Sequence, residues 1–183
     1  LRIIAGTLKG RTWSLPKGAD LRPTTDRAKE SLFNVLQAHV DWPMAQCLDL
    51  FSGTGSIGFE MLSRGAGRVD FLDKNPKSVQ HIKRQLEQWN IKNASVIQAN
   101  AFEFAQGRTV AYDFIFIDPP FSLNDALALP QMCIANGLLK PDGLLVLEHG
   151  PDWAKQTPEI QGWMFTKKYG HVHFSYFCAE EQV

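Results

Sequence analysis

The stretch Cys47-Leu48-Asp49-Leu50-Phe51-Ser52-Gly53-Thr54-Gly55-Ser56-Ile57-Gly58 decides how the rest of the chain is read. Its first five residues are apolar except for Asp49 and read as a short buried strand over Cys47–Phe51. A glycine-rich turn follows, and Ser56–Ser63 then reads as a helix closed by Gly65 and Gly67. A Gly-x-Gly-x-x-Gly turn between strand and helix lets the backbone approach a bound cofactor with no Cβ in the way. Asp73 lies 20 residues after Gly53, at the end of the next strand, Arg68–Asp73. A carboxylate there can accept from both hydroxyls of a ribose. A glycine turn that only packs a helix on a strand is the plainer reading of the same residues.

Outward from this stretch, strands and helices alternate. Asn75 caps and Pro76 opens a helix whose buried face is Val79, Ile82, Leu86 and Trp89. Ala94–Gln98, Tyr112–Asp118 and Leu144–Glu148 read as strands, with a helix at about Leu123–Ala135. Trp163–Lys168 and His171–Cys178 read as an antiparallel pair joined at Tyr169-Gly170. Upstream, Arg2–Ala5 and Arg11–Leu15 read as a hairpin around Gly6 and Gly10, and Pro16–Pro23 as loop. Thr24 or Thr25 caps a helix to about Ala38, with Ala28, Leu32, Val35 and Leu36 on one face. The expected fold is α/β: a mainly parallel sheet with helices on both faces and an antiparallel C-terminal hairpin. The expected boundary falls near residue 40, with a hairpin-and-helix extension over 1–40 and a catalytic domain over 41–183.

The 183 residues suffice for one core without disulfide or metal staples. Lys and Arg number 19, as do Asp and Glu, so the formal net charge is zero. Taken whole, that balance argues against a generally basic nucleic-acid binder. It hides an asymmetry, because residues 1–30 hold seven basic side chains against three acids, a surplus of four. A small basic head thus precedes a mildly acidic body. No run approaches the roughly 18 apolar residues of a membrane span. No secretory leader is visible, and the opening Leu1 implies that residues precede it. Cys47, Cys133 and Cys178 are far apart and odd in number, which fits a reducing cytoplasm and no metal. No long apolar repeat demands a partner, so a monomer is expected.

Asp118-Pro119-Pro120-Phe121 ends the fourth strand. In a doubly wound sheet ligands bind at the carboxyl ends of the strands, so Asp118 should face the crevice of Asp49 and Gly53. Two prolines remove two N–H donors, leaving the Asp118 carboxylate and the Pro119 carbonyl as an acceptor pair for an –NH2 group. Phe121 offers a flat surface for stacking a base. The glycine turn and Asp73 also fit a nicotinamide cofactor. S-adenosylmethionine is favoured because Asp49 can bond the methionine ammonium, whereas a carboxylate beside a pyrophosphate is repulsive. The base must leave its own stack to reach the site.

Asp118-Pro119-Pro120-Phe121 after a glycine-loop strand resembles the class I amino methyltransferases of exocyclic base nitrogens. The chain also contains Arg2-Ile3-Ile4-Ala5-Gly6, Gly10-Arg11, Leu21-Arg22-Pro23-Thr24-Thr25-Asp26-Arg27 and Glu30-Ser31-Leu32-Phe33-Asn34. With Leu62-Ser63-Arg64, these resemble the bacterial 16S rRNA guanine-N2 methyltransferases of the guanine-966 type, over nearly the whole chain. The resemblance implies a seven-stranded class I fold, a cytoplasmic enzyme, and methylation of a guanine in the helix 31 loop of small-subunit rRNA, free or in a 30S particle. It carries cofactor binding onto Asp49, Phe51, Gly53, Gly55, Asp73, Lys74, Asn100, Ala101 and Phe102. Catalysis falls on Asp118, Pro119, Pro120 and Phe121, and RNA contact on Arg2, Lys9, Arg11, Arg22 and Arg27. Asp73 stands where relatives often have Glu, and Lys74-Asn75 replaces a common acid. Asn100 stands where many such enzymes place Asp, and its carbonyl can still face an adenine amino group.

His39, His81, His149, His171 and His173 are scattered in the sequence, and structural or surface roles are expected for them. Rival readings are an amino methyltransferase on adenine in DNA or RNA or on a protein amide, an NAD-binding oxidoreductase, and a noncatalytic RNA-binding module.

Overall fold

The computed structural model describes residues 1–14, 25–107, 110–120 and 122–179. Its framework is a seven-stranded sheet in the order β3-β2-β1-β4-β5-β7-β6. The strands are β1 Gln46–Asp49, β2 Arg68–Asp73, β3 Ala94–Gln98, β4 Tyr112–Ile117, β5 Leu139–His149, β6 Trp163–Tyr169 and β7 Val172–Cys178. β1 to β5 are parallel, while β7 runs antiparallel to both β5 and β6. The helices are α1 Asp26–Leu36, α2 Ser56–Ser63, α3 Pro76–Gln88, α4 Ala101–Gln106 and α5 Leu129–Ala135. β1 lies between β2 and β4, so the strand order reverses beside the glycine turn that follows β1.

Side-chain alternation splits the apolar residues of the central strands between two cores. On β4, Phe114 and Phe116 join one core, and Tyr112, Ile115 and Ile117 join the other. On β5, Leu144 and Val146 face the first core, Leu145 and Leu147 the second. A strand covered on both faces has no solvent side, which is why Phe114–Ile117 is apolar at every position. Ile3, Trp13, Ala28, Leu32, Phe33 and Leu36 belong to the first core, so the head shares that core with one face of the sheet.

Several elements differ from expectation for identifiable reasons. The N-terminal hairpin is present but short: Arg2 pairs with Thr12, flanked by hydrogen bonds from the Ile3 N–H to the Arg11 carbonyl at 3.0 Å and from the Trp13 N–H to the Leu1 carbonyl at 3.2 Å. Other backbone donors of this segment go to α2: the Ile4 and Ala5 N–H groups to Glu60, at 2.8 and 3.1 Å, and the Leu8 N–H to Ser63 Oγ at 3.0 Å. Gly6 permits that approach, since a Cβ there would meet the Ser63 carbonyl oxygen at 1.8 Å. Thr25, not Thr24, caps α1, accepting from the Ala28 N–H. Strand β1 ends at Asp49, because Leu50 and Phe51 already belong to the turn. The helix expected near 123–135 divides into a 3-10 turn, Asn124–Ala128, and α5, which takes Pro130 into its first turn. Helix α4 was not read from the sequence; Asn100 caps it by accepting from the Phe102 N–H at 2.8 Å.

Glu60 is fully buried, accepts three hydrogen bonds and faces one further cation. Besides Ile4 and Ala5, Arg64 Nε donates to it at 2.9 Å, and Lys29 Nζ lies 3.8 Å away. Lys29 is 1% exposed and donates to the Arg2 carbonyl at 2.7 Å and Ser56 Oγ at 3.3 Å. Burial pushes its pKa below the ordinary lysine value, and Glu60 only partly opposes this. Removing one partner from such a pair strands the other charge. Glu60→Ala is expected to lose about 3–5 kcal/mol of stability in urea denaturation at pH 7. Adding Lys29→Met should recover part of it. A loss under about 1 kcal/mol, the range of a surface pair, contradicts this role.

Candidate functional site

The carboxyl ends of four adjacent strands carry acids: Asp73 on β2, Asp49 on β1, Asp118 directly after β4 and Glu148 on β5. The turn after β1 needs left-handed backbone at Gly53 and Gly55, with φ of +49° and +78°. At Gly55 a Cβ would also meet the Phe59 ring at 2.6 Å. Asp73 locks this turn: one carboxylate oxygen accepts from the Gly53 N–H and the other from the Asn75 N–H, both at 2.8 Å. Trp13 holds it from the head, donating through its indole N–H to the Thr54 carbonyl at 3.0 Å.

Asp49 is 2% exposed and accepts from the Gly58 N–H at 3.0 Å. Burial pushes its carboxyl up to about 7; the Gly58 hydrogen bond pulls it back and Asp73 pushes it further. Asp118 lies well above the ordinary carboxylate range, first through burial, then through Glu148 and Asp49. Four acids are thus packed where their charges oppose one another, a site suited to positive charge and to N–H donors.

Two cavities lie at this end of the sheet. The smaller, of about 40 Å³, is lined by Leu50, Phe51, Leu72, Lys74, Ala99, Asn100, Ala101, Phe102 and Leu123. It gathers Phe51, Lys74, Asn100, Ala101 and Phe102 of the expected cofactor residues. The Asn100 carbonyl oxygen, expected to face a ligand, is engaged in capping α4. The larger, of about 100 Å³, is lined by Asp118, Pro119, Glu148, His149, Gly150, Asp152, Trp153, His171 and Val172. Pro119 is buried and Pro120 exposed, while Phe121 lies outside the described residues.

Of the basic residues singled out in the sequence, Lys9, Arg11 and Arg27 are exposed. Arg11 lies over the Trp89 ring, 5.6 Å from its centroid. Arg2 is engaged by Asp26 at 2.6 Å. Arg22 lies outside the described residues.

Sequence reading missed Glu148, His149 and Trp153. The strand-end rule that located Asp118 applies equally to the end of β5 and would have found the first two. His149 and His173 are both buried, with ring centroids 5.5 Å apart, and His149 stacks on Trp153. Of the five histidines, His149 and His171 line the larger cavity. The Gly150 carbonyl can only accept, so His149 donates to it through Nδ1 at 2.7 Å. Nε2 must then accept from Ser175 Oγ at 2.8 Å. Thr166 donates in turn to Ser175 at 2.7 Å, and the Trp163 indole to Thr166 at 3.1 Å. Burial lowers the His149 pKa, in keeping with a neutral ring. This directional chain sets the backbone at the cavity lip.

The Asp49 geometry has a measurable consequence without ligand. Between the ordinary value of 3.8 and about 7, the folded chain holds a proton that the unfolded chain has released. Stability therefore falls as pH rises through that window and levels off above it. Asp49→Asn removes this dependence and still accepts from Gly58. It should stabilise the ligand-free chain by about 1–3 kcal/mol above pH 7, with little change at pH 4. Parallel melting curves for variant and parent across this range would refute the prediction.

Comparison with known proteins agrees with this architecture. A family model described as Conserved hypothetical protein 95 matches residues 1–178. The chain is 36% identical over 172 residues to Ribosomal RNA small subunit methyltransferase D of Haemophilus influenzae, covering 92% of this chain and 87% of that protein. The Escherichia coli K12 protein of the same name is 36% identical over 149 residues, covering 81% and 74%. A solved Escherichia coli structure described as a methyltransferase matches with a TM-score of 0.84 at 31% identity, covering 97% of this chain and 96% of that one. A Thermus thermophilus 16S rRNA N2 G1207 methyltransferase, solved with AdoMet and guanosine, shares the fold with a TM-score of 0.70 at 23% identity, covering 87% of this chain and 45% of that one. The chain belongs to the Conserved hypothetical protein 95 family and, with the relatives named Ribosomal RNA small subunit methyltransferase D, to one family of methyltransferases.

Proposed function

We propose that this chain transfers the methyl group of S-adenosylmethionine to the N2 amino nitrogen of a guanine in the helix 31 loop of small-subunit rRNA. The observation that carries this reading is a pair of cavities at the carboxyl end of the sheet, one lined by Phe51, Lys74 and Asn100 after β1 to β3 and the other by Asp118 and Glu148. The apolar walls from Phe51, Leu72, Ala101 and Phe102 suit an adenine ring. Asp73, beside the Gly53 N–H, suits ribose hydroxyls. The donor set fits a cation, because positive charge beside Asp49 relieves the strain of its burial. Bound there, S-adenosylmethionine supplies a methyl group already activated by its sulfonium.

Asp118 and the Pro119 carbonyl then accept both hydrogens of the N2 amino group. Neither Pro119 nor Pro120 has an N–H to compete. The fixed nitrogen turns its lone pair, otherwise delocalised into the ring, toward the methyl carbon. As the N–C bond forms and the C–S bond breaks, that nitrogen becomes acidic. Its proton leaves to Asp118 and then to water. Positioning of this kind contributes up to about 7–11 kcal/mol in the best cases.

Lys9, Arg11 and Arg27 are the proposed phosphate contacts, and Arg2 joins them by exchanging Asp26 for phosphate. The free thiols of Cys47 and Cys133 are buried, in keeping with a reducing cytoplasm. Among the described residues this chain's own helices cover both faces of the sheet, in keeping with a monomer. In this reading the substrate is the rRNA itself or an assembling or complete 30S particle.

Asp118→Ala should reduce formation of N2-methylguanosine in small-subunit rRNA by about 100-fold or more. Binding of S-adenosylhomocysteine, measured by calorimetry, should stay near that of the parent. Near-normal transfer in this variant rejects the assignment. Neutralising Lys9 and Arg11 together should lower the slope of log affinity for RNA against log salt by about 1–2, and an unchanged slope rejects phosphate contact there.

A further inference from the structure

We infer that Glu148 selects guanine, accepting a hydrogen bond from the ring N1–H of the base whose amino group is held at Asp118 and Pro119. This rests on the methyl-transfer reading above and deepens it from an amino group to a particular base edge.

The sheet register supplies the placement. Ile117 of β4 pairs with Leu147 of β5 in a parallel ladder. The next rung sets Asp118 beside Glu148, about 4.8 Å away along the hydrogen-bonding direction. Side chains on one rung project to the same face, and both residues line the larger cavity. Glu148 is also among the causes that raise the Asp118 carboxyl, so the two groups lie close. Trp153, backed by His149 with ring planes 26° apart, walls the same cavity. A planar ligand whose amino group reaches Asp118 therefore brings the neighbouring ring atom to Glu148.

That neighbouring atom differs among bases. Beside its amino group guanine carries N1–H, a donor, whereas adenine and cytosine carry a bare ring nitrogen, an acceptor. A carboxylate opposite that position accepts from guanine and repels the lone pair of the other two. Asp118 and Pro119 alone do not discriminate, because every amino base offers –NH2. Guanine's N1–H and two N2 hydrogens match the three acceptors Glu148, Asp118 and the Pro119 carbonyl. Hydrogen bonding to two crowded carboxylates also offsets part of their mutual repulsion.

The test uses rRNA ligated around a synthetic segment, with guanine or 2-aminopurine at the methylated position. 2-Aminopurine keeps the N2 amino group but presents a bare N1. The parent chain should methylate the guanine RNA with a kcat/KM roughly 10- to 100-fold above that for the 2-aminopurine RNA. Glu148→Gln, whose carboxamide can donate to N1, should slow guanine methylation by about 10-fold or more and raise the 2-aminopurine-to-guanine ratio by a similar factor. S-adenosylhomocysteine affinity and melting temperature should stay near the parent's. Equal use of both RNAs by the parent overturns the inference and leaves the methyl-transfer reading intact. An equal loss on both RNAs in Glu148→Gln also overturns it, because a merely structural role predicts that result. Absence of transfer to any guanine RNA by the parent overturns the underlying reading, and this inference with it.

Discussion

The buried carboxylate of Glu60 is the constraint on which the rest of the molecule depends. It sits on α2, the helix that opens directly from the glycine turn, and it collects two backbone donors from the head and one from Arg64. Lys29, from α1, reaches the same group and also holds Ser56, the first residue of α2. One buried charge therefore joins the head, α1 and the start of α2. Desolvation is expensive for both ions, so the arrangement holds only while every partner is present. Trp13 adds a second tie, from the head to the Thr54 carbonyl. The head thus supports the turn that shapes the ligand site, besides presenting Lys9 and Arg11 on its surface.

The row of acids at the strand ends follows another logic. Asp49 and Asp118 are held where their charged forms are disfavoured, and each raises the pKa of a neighbour or is raised by one. A structure selected for stability alone would place amides or apolar side chains there. This strain concentrates at the carboxyl end of the sheet, where the two cavities lie. The two cavities divide along the sheet. β1 to β3 border the smaller cavity, and β4, β5 and β7 the larger.

Much of this was legible one residue at a time. Gly53, Gly55, Asp73 and Asp118 stand out because their types and spacing are dictated by local backbone chemistry. The alternation of strands and helices, with the antiparallel pair at the end, was equally readable from periodicity. Glu60 and Lys29 gave no such signal, since each looks like an ordinary exposed helical charge until α1 and α2 are packed together. The docking of the N-terminal hairpin was hidden for the same reason: its remaining donors turn to α2, a partner some 55 residues away in sequence. His149 and His173 are scattered in the chain and adjacent only because β5 pairs with β7.

The zero net charge also reads differently in three dimensions. It sums a basic head and an acidic body, yet among the described residues the head's cations divide into buried Lys29, engaged Arg2 and exposed Lys9, Arg11 and Arg27. By itself the sequence determined the fold class, the glycine turn, the acids at the ends of β1, β2 and β4, and the family resemblance, because these depend on local backbone demands and strand periodicity. Only the tertiary structure decided which charges are buried, which acids are forced together, and that Asp118 and Glu148 line one cavity. Those outcomes depend on register and packing between segments distant in the chain, and no local pattern encodes them.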